Sequence, residues 1–324
     1  MRLRSLRERD LVAAIRRDFP AKKRGLVLGI GDDAAVIRSA GNLHALTTDL
    51  LVEDVHFAAT LHPPYYLGRK SLNVSLSDIA AMGGQPRFAL LGLALRKGLK
   101  TQWVEEFFRG LGTAAEESGV GLIGGDISTA RKITVSITVL GEGKTYITRS
   151  GARPGDLIFL SGQAGDAAAG LRLLRKGFRL GQDKEADSLL LAFLDPVPQV
   201  ALGRALCRLQ AATAMIDTSD GLSVDLFHLC EESRTGAVVD FERLPLSSAL
   251  RSFEKRPNRL ALHGGEDYGL LFAANPRKSE LIARVQKRFR FRRIGRMVRG
   301  RGIITVDQKG RKRPLEIRGF EHSL

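Results

Sequence analysis

KITVSITVLG, residues 132–141, is the clearest strand of the chain and points to its fold class. Isoleucine and valine alternate with threonine and serine along it, which is the side-chain period of a strand that buries one face. The apolar positions are Ile133, Val135, Ile137 and Val139, and the polar positions between them are Thr134, Ser136 and Thr138. The alternation predicts a sheet with one face in a core and a second face available for polar contacts.

Strands and helices alternate outward from this segment in both directions. The predicted strands are 43–48, 87–95, 120–123, 132–140 and 214–217, and the predicted helices are 65–82, 101–118, 165–177, 185–193, 197–210 and 221–234. A chain of 324 residues is too long for one typical core, and SGARPGD at 150–156 combines Gly and Pro ahead of a new strand. We therefore predict an α+β protein of mixed α/β character, with domains at 1–152 and 153–324.

The apolar stretches are too short to cross a membrane. The longest, FALLGLAL at 88–95, falls well below the roughly 18 residues that a spanning helix needs, and it predicts a buried strand. Near the N-terminus, Leu11, Ile15 and Phe19 recur at helical spacing without the apolar core of a signal peptide, which predicts an amphipathic helix. We expect a cytoplasmic protein with no membrane partner.

The cysteines and the usual nucleotide motifs exclude several classes of protein. Cys207 and Cys230 belong to no CxxC pair and to no histidine cluster, so we expect two buried thiols in a reducing compartment. The sequence has no GxxxxGK[ST] loop and no GxGxxG between a strand and a helix. An ATP site of the P-loop or Rossmann type is therefore excluded.

The basic charge is concentrated near the C-terminus. The formal net charge is +16, and residues 275–324 contain 16 Lys and Arg against 4 Asp and Glu. The densest part, residues 284–301, places Phe289 and Phe291 among arginines, a pattern that nucleic-acid binders also show. A solvated helix and strand with both Phe side chains in the core is the favoured interpretation, and attraction of anionic substrates is a third. We expect no nucleic-acid partner.

Acidic residues beside glycine or hydroxyl groups are the main candidates for chemistry. They lie in GIGDDAA (29–35), TTDLL (47–51), NVSLSD (73–78), IGGDIS (123–128) and IDTSDG (216–221). Carboxylates without His or Cys are hard oxygen donors, which suit Mg²⁺ ions held on a polyphosphate. We expect Asp49 at a strand end and Asp126 in a loop after two glycines. Each motif alone could instead be a turn, and Ser219 or Asp220 could be a helix cap.

Three further places could bind an anion or a ligand. Gly162 and Gly165 precede a predicted helix, whose first N–H groups could meet a phosphate, although a tight turn is equally consistent. Arg149 could also reach a phosphate or be simply solvated. In GGEDY (264–268), we expect one acid in a turn and the other aimed at a ligand.

The motifs together resemble the thiamine-monophosphate kinase family. GIGDDAAV, TTDLLVEDVHF, NVSLSDIAAMGG, IGGDIS, TRSGARPGD, GDAAAGL, IDTSDGL and GGEDY occur in the family's order, and with GFEH they cover the chain from about residue 28 to residue 322. The wider superfamily is that of aminoimidazole-ribonucleotide synthetase. The resemblance implies that superfamily's two-domain fold, in which N-terminal mixed sheets pair across a homodimer and a C-terminal α/β sandwich completes the substrate site.

The resemblance also assigns roles to individual residues. It implies several Mg²⁺ ions on Asp33, Thr47, Thr48, Asp49, Asp78, Asp126, Asp217 and Asp220. It implies ATP contacts from Gly125, Asp126, Arg149 and Ser219, and thiamine monophosphate contacts from His56, Glu266 and Phe320. The catalytic set would be Asp126, Arg149, Asp217 and Asp220. Gly269 stands where the family typically has an acid, and Phe320 where it often has Tyr.

The implied reaction is transfer of the γ-phosphoryl group of ATP to thiamine monophosphate, giving thiamine diphosphate. A phosphate monoester is mostly dianionic at neutral pH, so it can attack in line without a general base, which agrees with the absence of an obvious base among the motifs. One alternative is an enzyme of the same superfamily that activates an amide oxygen by phosphorylation. The remote alternative is nucleic-acid binding through residues 284–301.

Overall fold

The computed structural model describes residues 8–18 and 23–320. Its helices are α1 (Glu8–Asp18), α2 (Pro64–Ala81), α3 (Thr101–Ser118), α4 (Asp166–Arg175), α5 (Lys184–Leu194), α6 (Val200–Arg208), α7 (Leu222–Ser233), α8 (Ser248–Phe253), α9 (Pro257–His263) and α10 (Ser279–Gln286). Its strands are β1 (Leu26–Leu28), β2 (Ala35–Ser39), β3 (Asn42–Val52), β4 (Gln85–Leu95), β5 (Gly121–Thr129), β6 (Thr134–Gly143), β7 (Leu157–Ser161), β8 (Ala214–Asp217), β9 (Gly236–Asp240), β10 (Leu270–Ala274), β11 (Phe291–Val298), β12 (Ile303–Val306) and β13 (Lys312–Pro314).

The first sheet contains six strands in the order β1-β2-β3-β6-β4-β5, and only the β4–β5 pair is parallel. Its inner face packs on α2 and α3, and the predicted apolar face of β6 is buried there. The two helices approach each other closely at Gly110, where a Cβ atom would lie 1.8 Å from the Tyr65 carbonyl oxygen. The strongest sequence prediction, one buried and one polar face on β6, is confirmed.

Residues 8–18 and 23–320 leave the outer face of this sheet uncovered. Phe88 and Leu90 are each 44% exposed, and the side chains of β5 are all exposed. The prediction that residues 88–95 form a buried strand is therefore wrong for this face of β4. Both faces are apolar, and the sequence does not reveal that one of them has no covering layer within the chain.

The second sheet contains seven strands in the order β13-β12-β9-β11-β7-β10-β8. One face packs on α7 and α9, and the other packs on α6 and α10 together with Phe289 and Phe291. The two sheets and their helices form the predicted two-domain α+β fold. Because Phe289 and Phe291 lie against the core, they are not a surface for stacking on bases.

Helix α2 is the element that joins the two domains. It packs on β3 and β6 of the first sheet and on α6 and β8 of the second. Most residues of α2 are buried, including the polar residues Lys70, Asn73 and Ser77. A buried helix that carries some polar side chains and packs on both domains brings residues of the two domains together, and the candidate site lies there.

Several predicted features are present and one lies outside the described residues. Helix α3 ends with Gly119 in the left-handed conformation, as expected. Cys207 and Cys230 are buried free thiols. Leu11 and Ile15 lie on α1, whereas Phe19 is outside the described part of the chain. Among the helices described, none is both long and apolar enough to span a bilayer.

Candidate active site

Three carboxylates from distant parts of the chain meet beside α2. Asp33 follows β1, Asp78 lies in the last turn of α2, and Asp217 ends β8. One oxygen of each lies within 4.8 Å of the others, and Asp33 and Asp217 are buried. Like charges at this separation repel strongly, so the folded chain holds these three groups where a cation or protons must compensate them.

Arg149 provides only part of that compensation. Its guanidinium donates a 2.7 Å hydrogen bond to Asp33, and its backbone N–H contacts both oxygens of Asp32 at 3.2 Å. The interpretation of Arg149 as a solvated residue is therefore wrong, because its side chain is 24% exposed and paired. The second oxygen of Asp33 is buried without a hydrogen-bond partner in the described structure, and such an atom is a candidate metal ligand.

The pKa values of the carboxyl groups in this cluster also reflect too little positive charge around them. Burial raises the pKa of Asp217 to about 8, and the charge of Asp33 adds to this effect. Burial, followed by the charges of Asp49 and Asp217, raises the pKa of Asp78 well above its ordinary value. The acid at the end of α2, a position that the helix dipole disfavours, is thus a costly feature. Costs of this kind concentrate at functional sites.

Thr47 and Asp49 extend the cluster along the inner face of β3. The hydroxyl of Thr47 donates to Asp78, and Asp49 accepts a 2.7 Å hydrogen bond from Ser75 on α2. Asp49 lies in the middle of β3 and not at a strand end, so that prediction is wrong: the strand continues to Val52 through its pairing with β6. The alternation of β3 directs Thr47 and Asp49 toward α2.

Thr48 and Asp126 lie on the opposite, outer face of the sheet. The hydroxyl of Thr48 is 3.0 Å from that of Thr138 and 3.4 Å from that of Ser136. Asp126 is exposed in register with Gly92, inside β5 and not in a loop as expected. The structure therefore divides the predicted metal ligands into two groups on the two faces of one sheet.

Gly125 explains why the sequence suggests a loop at Asp126. Double glycine usually marks a turn, but here β5 pairs directly with β4. A Cβ atom at Gly125 would lie 1.8 Å from the carbonyl oxygen of Leu91. Glycine is required by this close approach of two backbones, and the chain continues as a strand through Thr129.

The loop after β8 is the meeting point of the predicted substrate residues. The backbone N–H of Glu266 donates to the carbonyl of Ser219 at 2.7 Å, and that of Phe320 donates to the carbonyl of Asp220 at 3.0 Å. The ring of His56 lies 6.1 Å from the ring of Phe320, tilted by 52°. The GGEDY segment and the GF pair near the C-terminus therefore flank one loop, with His56 beside them.

Neither Ser219 nor Asp220 caps α7, so the helix-cap interpretation of the IDTSDG motif is wrong. The cap residue is Gly221, which offers no side chain. Buried Asp225 accepts the N–H of Gly221 at 3.1 Å and that of Asp220 at 3.4 Å. Asp225, inside the first turn of α7, therefore does what a cap residue would do.

The glycines before α4 do not form an open anion site. The N–H groups of Gly165 and Ala167 donate to the carboxylate of Asp267 at 2.6 and 3.1 Å. A carboxylate of the protein thus occupies the start of the helix, where the dipole stabilises negative charge. Of the two GGEDY acids, Asp267 fixes local structure, and the backbone of Glu266 contacts the loop after β8; that Glu266 is aimed at a ligand stays a prediction.

Comparisons with known proteins agree with this geometry. The family descriptions "AIR synthase related protein, N-terminal domain" and "AIR synthase related protein, C-terminal domain" match residues 31–142 and 153–307. The thiamine-monophosphate kinase of Aquifex aeolicus (strain VF5) is 34% identical over 99% of this chain and 100% of its own length. The chain belongs to the thiamine-monophosphate kinase family. The family member of Escherichia coli (strain K12) is 40% identical over 76% of this chain and 75% of its own.

A solved structure supports the assignment at the level of the whole fold. The structure described as "AaThiL complexed with AMPPCP and TMP" superposes with a TM-score of 0.87 at 33% identity, covering 98% of this chain and 97% of that one. As a thiamine-monophosphate kinase family member, the chain has the residues to hold Mg²⁺: three converging carboxylates, one of them with an unpartnered buried oxygen.

Sequence reasoning missed one residue of this family member's site, Lys70. Its side chain is 1% exposed, and its ammonium lies 2.6 Å from the carboxylate of Glu266. A signal is present in the sequence, because Lys70, Asn73 and Ser77 recur at i, i+3 and i+7. That spacing places three polar groups on one stripe of the predicted helix, which indicates a buried polar contact.

Proposed function

We propose that the protein transfers the γ-phosphoryl group of ATP to thiamine monophosphate and releases thiamine diphosphate and ADP. The observation that carries this proposal is the meeting of Asp33, Asp78, Asp217 and Arg149. They lie beside the loop after β8 that Glu266 and Phe320 flank, in a chain similar over its whole length to thiamine-monophosphate kinases. A cation-binding acid cluster suits a polyphosphate. The neighbouring rings of His56 and Phe320 suit contact with an aromatic substrate.

Several Mg²⁺ ions are part of the proposal. Asp33, Asp78 and Asp217, with Thr47 and Asp49 beside them, would hold ions on the inner face of the sheet. Asp126 and Thr48 lie on strands separated by two others, so each would contribute separately from the outer face. Asp220 would contribute from the loop after β8. Mg²⁺ would supply neutralisation of the transferring phosphates. Without cations, the four inner carboxylates face one arginine.

Direct in-line transfer is the mechanism that this donor set suits best. A dianionic phosphate ester is itself the nucleophile and requires no proton abstraction. Arg149 is fixed by Asp33 and Asp32, so its guanidinium is already oriented when ATP arrives. Gly125, Asp126 and Ser219 would complete the ATP contacts. The chain would therefore act by alignment and charge stabilisation.

A homodimer is the assembly that the outer face of the first sheet favours. Leu50, Phe88 and Leu90 are between 44% and 52% exposed. They form an apolar face next to β5, an edge strand with every side chain exposed. Monomeric proteins seldom leave such a face and edge open. Pairing of two such sheets would bury this face and enclose Asp126.

Phosphorus NMR of the purified protein with ATP, Mg²⁺ and thiamine monophosphate tests the proposal. We expect the signals of thiamine diphosphate and ADP to grow together and to stop when a chelator is added. Release of ADP or phosphate without thiamine diphosphate would contradict the substrate. A burst of ADP that precedes thiamine diphosphate would contradict direct transfer. Thr113→Ala, a change on the exposed side of α3, is the matched control.

A further inference from the structure

Lys70 is a fully buried cation at the boundary between the two domains. Burial of an unpaired ammonium is very costly, so its partners define its role. Its Nζ atom donates to Oε2 of Glu266 at 2.6 Å and to the carbonyl of Phe193 at 2.9 Å. It also lies 3.8 Å from the centre of the Phe193 ring. These three contacts account for the three N–H donors of the ammonium group.

Glu266 connects this buried cation to the site. Its side chain is 25% exposed, against 1% for Lys70. Oε2 accepts from Lys70, and in the described part of the chain no protein donor reaches Oε1. Lys70 cannot touch a ligand directly, because its ammonium is enclosed. Any effect of Lys70 on a substrate must therefore pass through Glu266.

The backbone around Glu266 is also held in an uncommon conformation. Glu266 and Tyr268 have φ angles of 71° and 48°, in the left-handed region that residues other than glycine rarely adopt. The N–H groups of these two residues donate to the carbonyls of Ser219 and Thr218. Two strained residues held by a neighbouring loop indicate that the direction of the Glu266 side chain is determined by the fold.

The charges of Lys70 and Glu266 cancel, which limits what Glu266 can recognise. A carboxylate already paired with an ammonium is a weak counter-ion for a second cation, but its remaining oxygen is still a good hydrogen-bond acceptor. Thiamine monophosphate offers both kinds of group: a thiazolium cation and the amino group of its pyrimidine. The paired Glu266 suits the amino group.

We propose that Lys70 is a positioning residue that fixes Glu266 as an acceptor for the pyrimidine amino group of the substrate, which makes the site selective for aminopyrimidines. This inference rests on the proposed kinase function. Because the pair joins α2 of the first domain to a loop of the second, the selective contact forms only when the two domains are packed as in this structure.

Steady-state kinetics of Lys70→Met test the inference. We expect KM for thiamine monophosphate to rise about tenfold and KM for ATP to change less than about twofold. Glu266→Gln should change the two KM values in the same way. In the Lys70→Met/Glu266→Gln double variant the effects should be far from additive, because both changes remove one contact. Ser71→Ala, a neighbouring buried change on α2, should leave both KM values unaltered.

A substrate analogue separates positioning from general loss of structure. In the analogue, an oxygen replaces the pyrimidine amino group. The unaltered protein should prefer thiamine monophosphate over the analogue by about tenfold or more, and Lys70→Met should reduce that preference severalfold. If Lys70→Met does not fold, the double variant, which buries no unpaired charge, gives the same comparison.

The outcomes distinguish the two proposals. Equal increases of both KM values in Lys70→Met, additive effects in the double variant, or an unchanged preference against the analogue would each overturn the role of Lys70 while the kinase function stands. An unaltered protein that transfers no phosphoryl group to thiamine monophosphate would overturn the kinase function, and with it the aminopyrimidine selectivity.

Discussion

The two faces of the first sheet carry similar residue types but differ in what each of them lacks. The inner face holds Thr47 and Asp49 under α2, where neighbouring carboxylates and Arg149 complete a pocket within one chain. The outer face holds Thr48 and Asp126 beside exposed Leu90, with none of the described residues above them. The inner face has fewer positive than negative charges, whereas the outer face lacks a covering layer. In the proposed function, cations complete the first face and a second chain completes the second.

The largest expected effect is on the inner face. Asp217→Asn keeps a polar group for Ser77, which donates to Asp217 at 2.6 Å, but removes a carboxylate that could bind a cation. We expect turnover to fall about a thousandfold, as for loss of a metal ligand at a phosphoryl-transfer site. Without Mg²⁺, thermal stability should stay equal or increase, because repulsion is relieved. Unfolding of this variant would instead support a structural turn at the IDTSDG motif.

Asp126→Asn applies the same test to the outer face. Asp126 is exposed in the single chain, so we expect no change in melting temperature and a loss of about a hundredfold in turnover. The measurement is kcat together with a Mg²⁺ titration. Full activity at ordinary Mg²⁺ concentrations would mean that the outer face takes no part in metal binding, and the division of ligands between two faces would be wrong.

Leu90→Lys challenges the need for a second chain. A charge in the centre of a buried apolar interface should prevent association, so we expect the sedimenting mass to halve and activity to fall at least about tenfold. Val197→Lys changes a residue of the second domain that is 67% exposed, and it should alter neither. A monomeric Leu90→Lys protein with full activity would show that the inner site works alone.

The pH dependence of stability probes the charge deficit of the inner face. The folded pKa of Asp217 is raised to about 8, so the native state retains a proton that the unfolded chain releases above its ordinary pKa of about 4. Stability without metal should therefore fall as pH rises toward about 8, by up to about 1.4 kcal/mol per pH unit for each such proton. Mg²⁺ should stabilise the protein more at high pH than at low pH, measured by calorimetry.

The sequence predicts elements far better than it predicts their covering layers and partners. The alternation in KITVSITVLG and the glycine after α3 predict β6 and the end of the helix, because both depend on local geometry. The exposure of Phe88 does not follow from sequence, since an apolar face reads the same whether its own chain or a second one covers it. The same limit hides contacts between distant residues: Lys70 and Glu266 are 196 positions apart.

The site residues show the same limit, because the sequence reveals the motifs but not how they group in space. The acid motifs indicate chemistry because oxygen donors beside glycine are recognisable one motif at a time. Their grouping depends on which face of a strand each residue occupies, and a shift of one residue moves a side chain to the other face. Thr47 and Thr48 are adjacent in the sequence, and the structure directs one to Asp78 and the other to Thr138.

This adjacent pair gives the smallest and most direct test of the comparison. Thr47→Val removes a donor to a carboxylate, and Thr48→Val removes contacts between hydroxyl groups, with the same change of shape in both. Bonds to charged groups contribute more than neutral ones, so we expect about a tenfold loss of kcat in the first and about threefold in the second. Thr47→Val should raise the Mg²⁺ concentration needed for half-maximal activity, and Thr48→Val should shift the concentration dependence of association. If both variants changed the Mg²⁺ requirement equally and left association unaltered, the two faces would form one functional unit, and the separation argued from the alternation of β3 would fail.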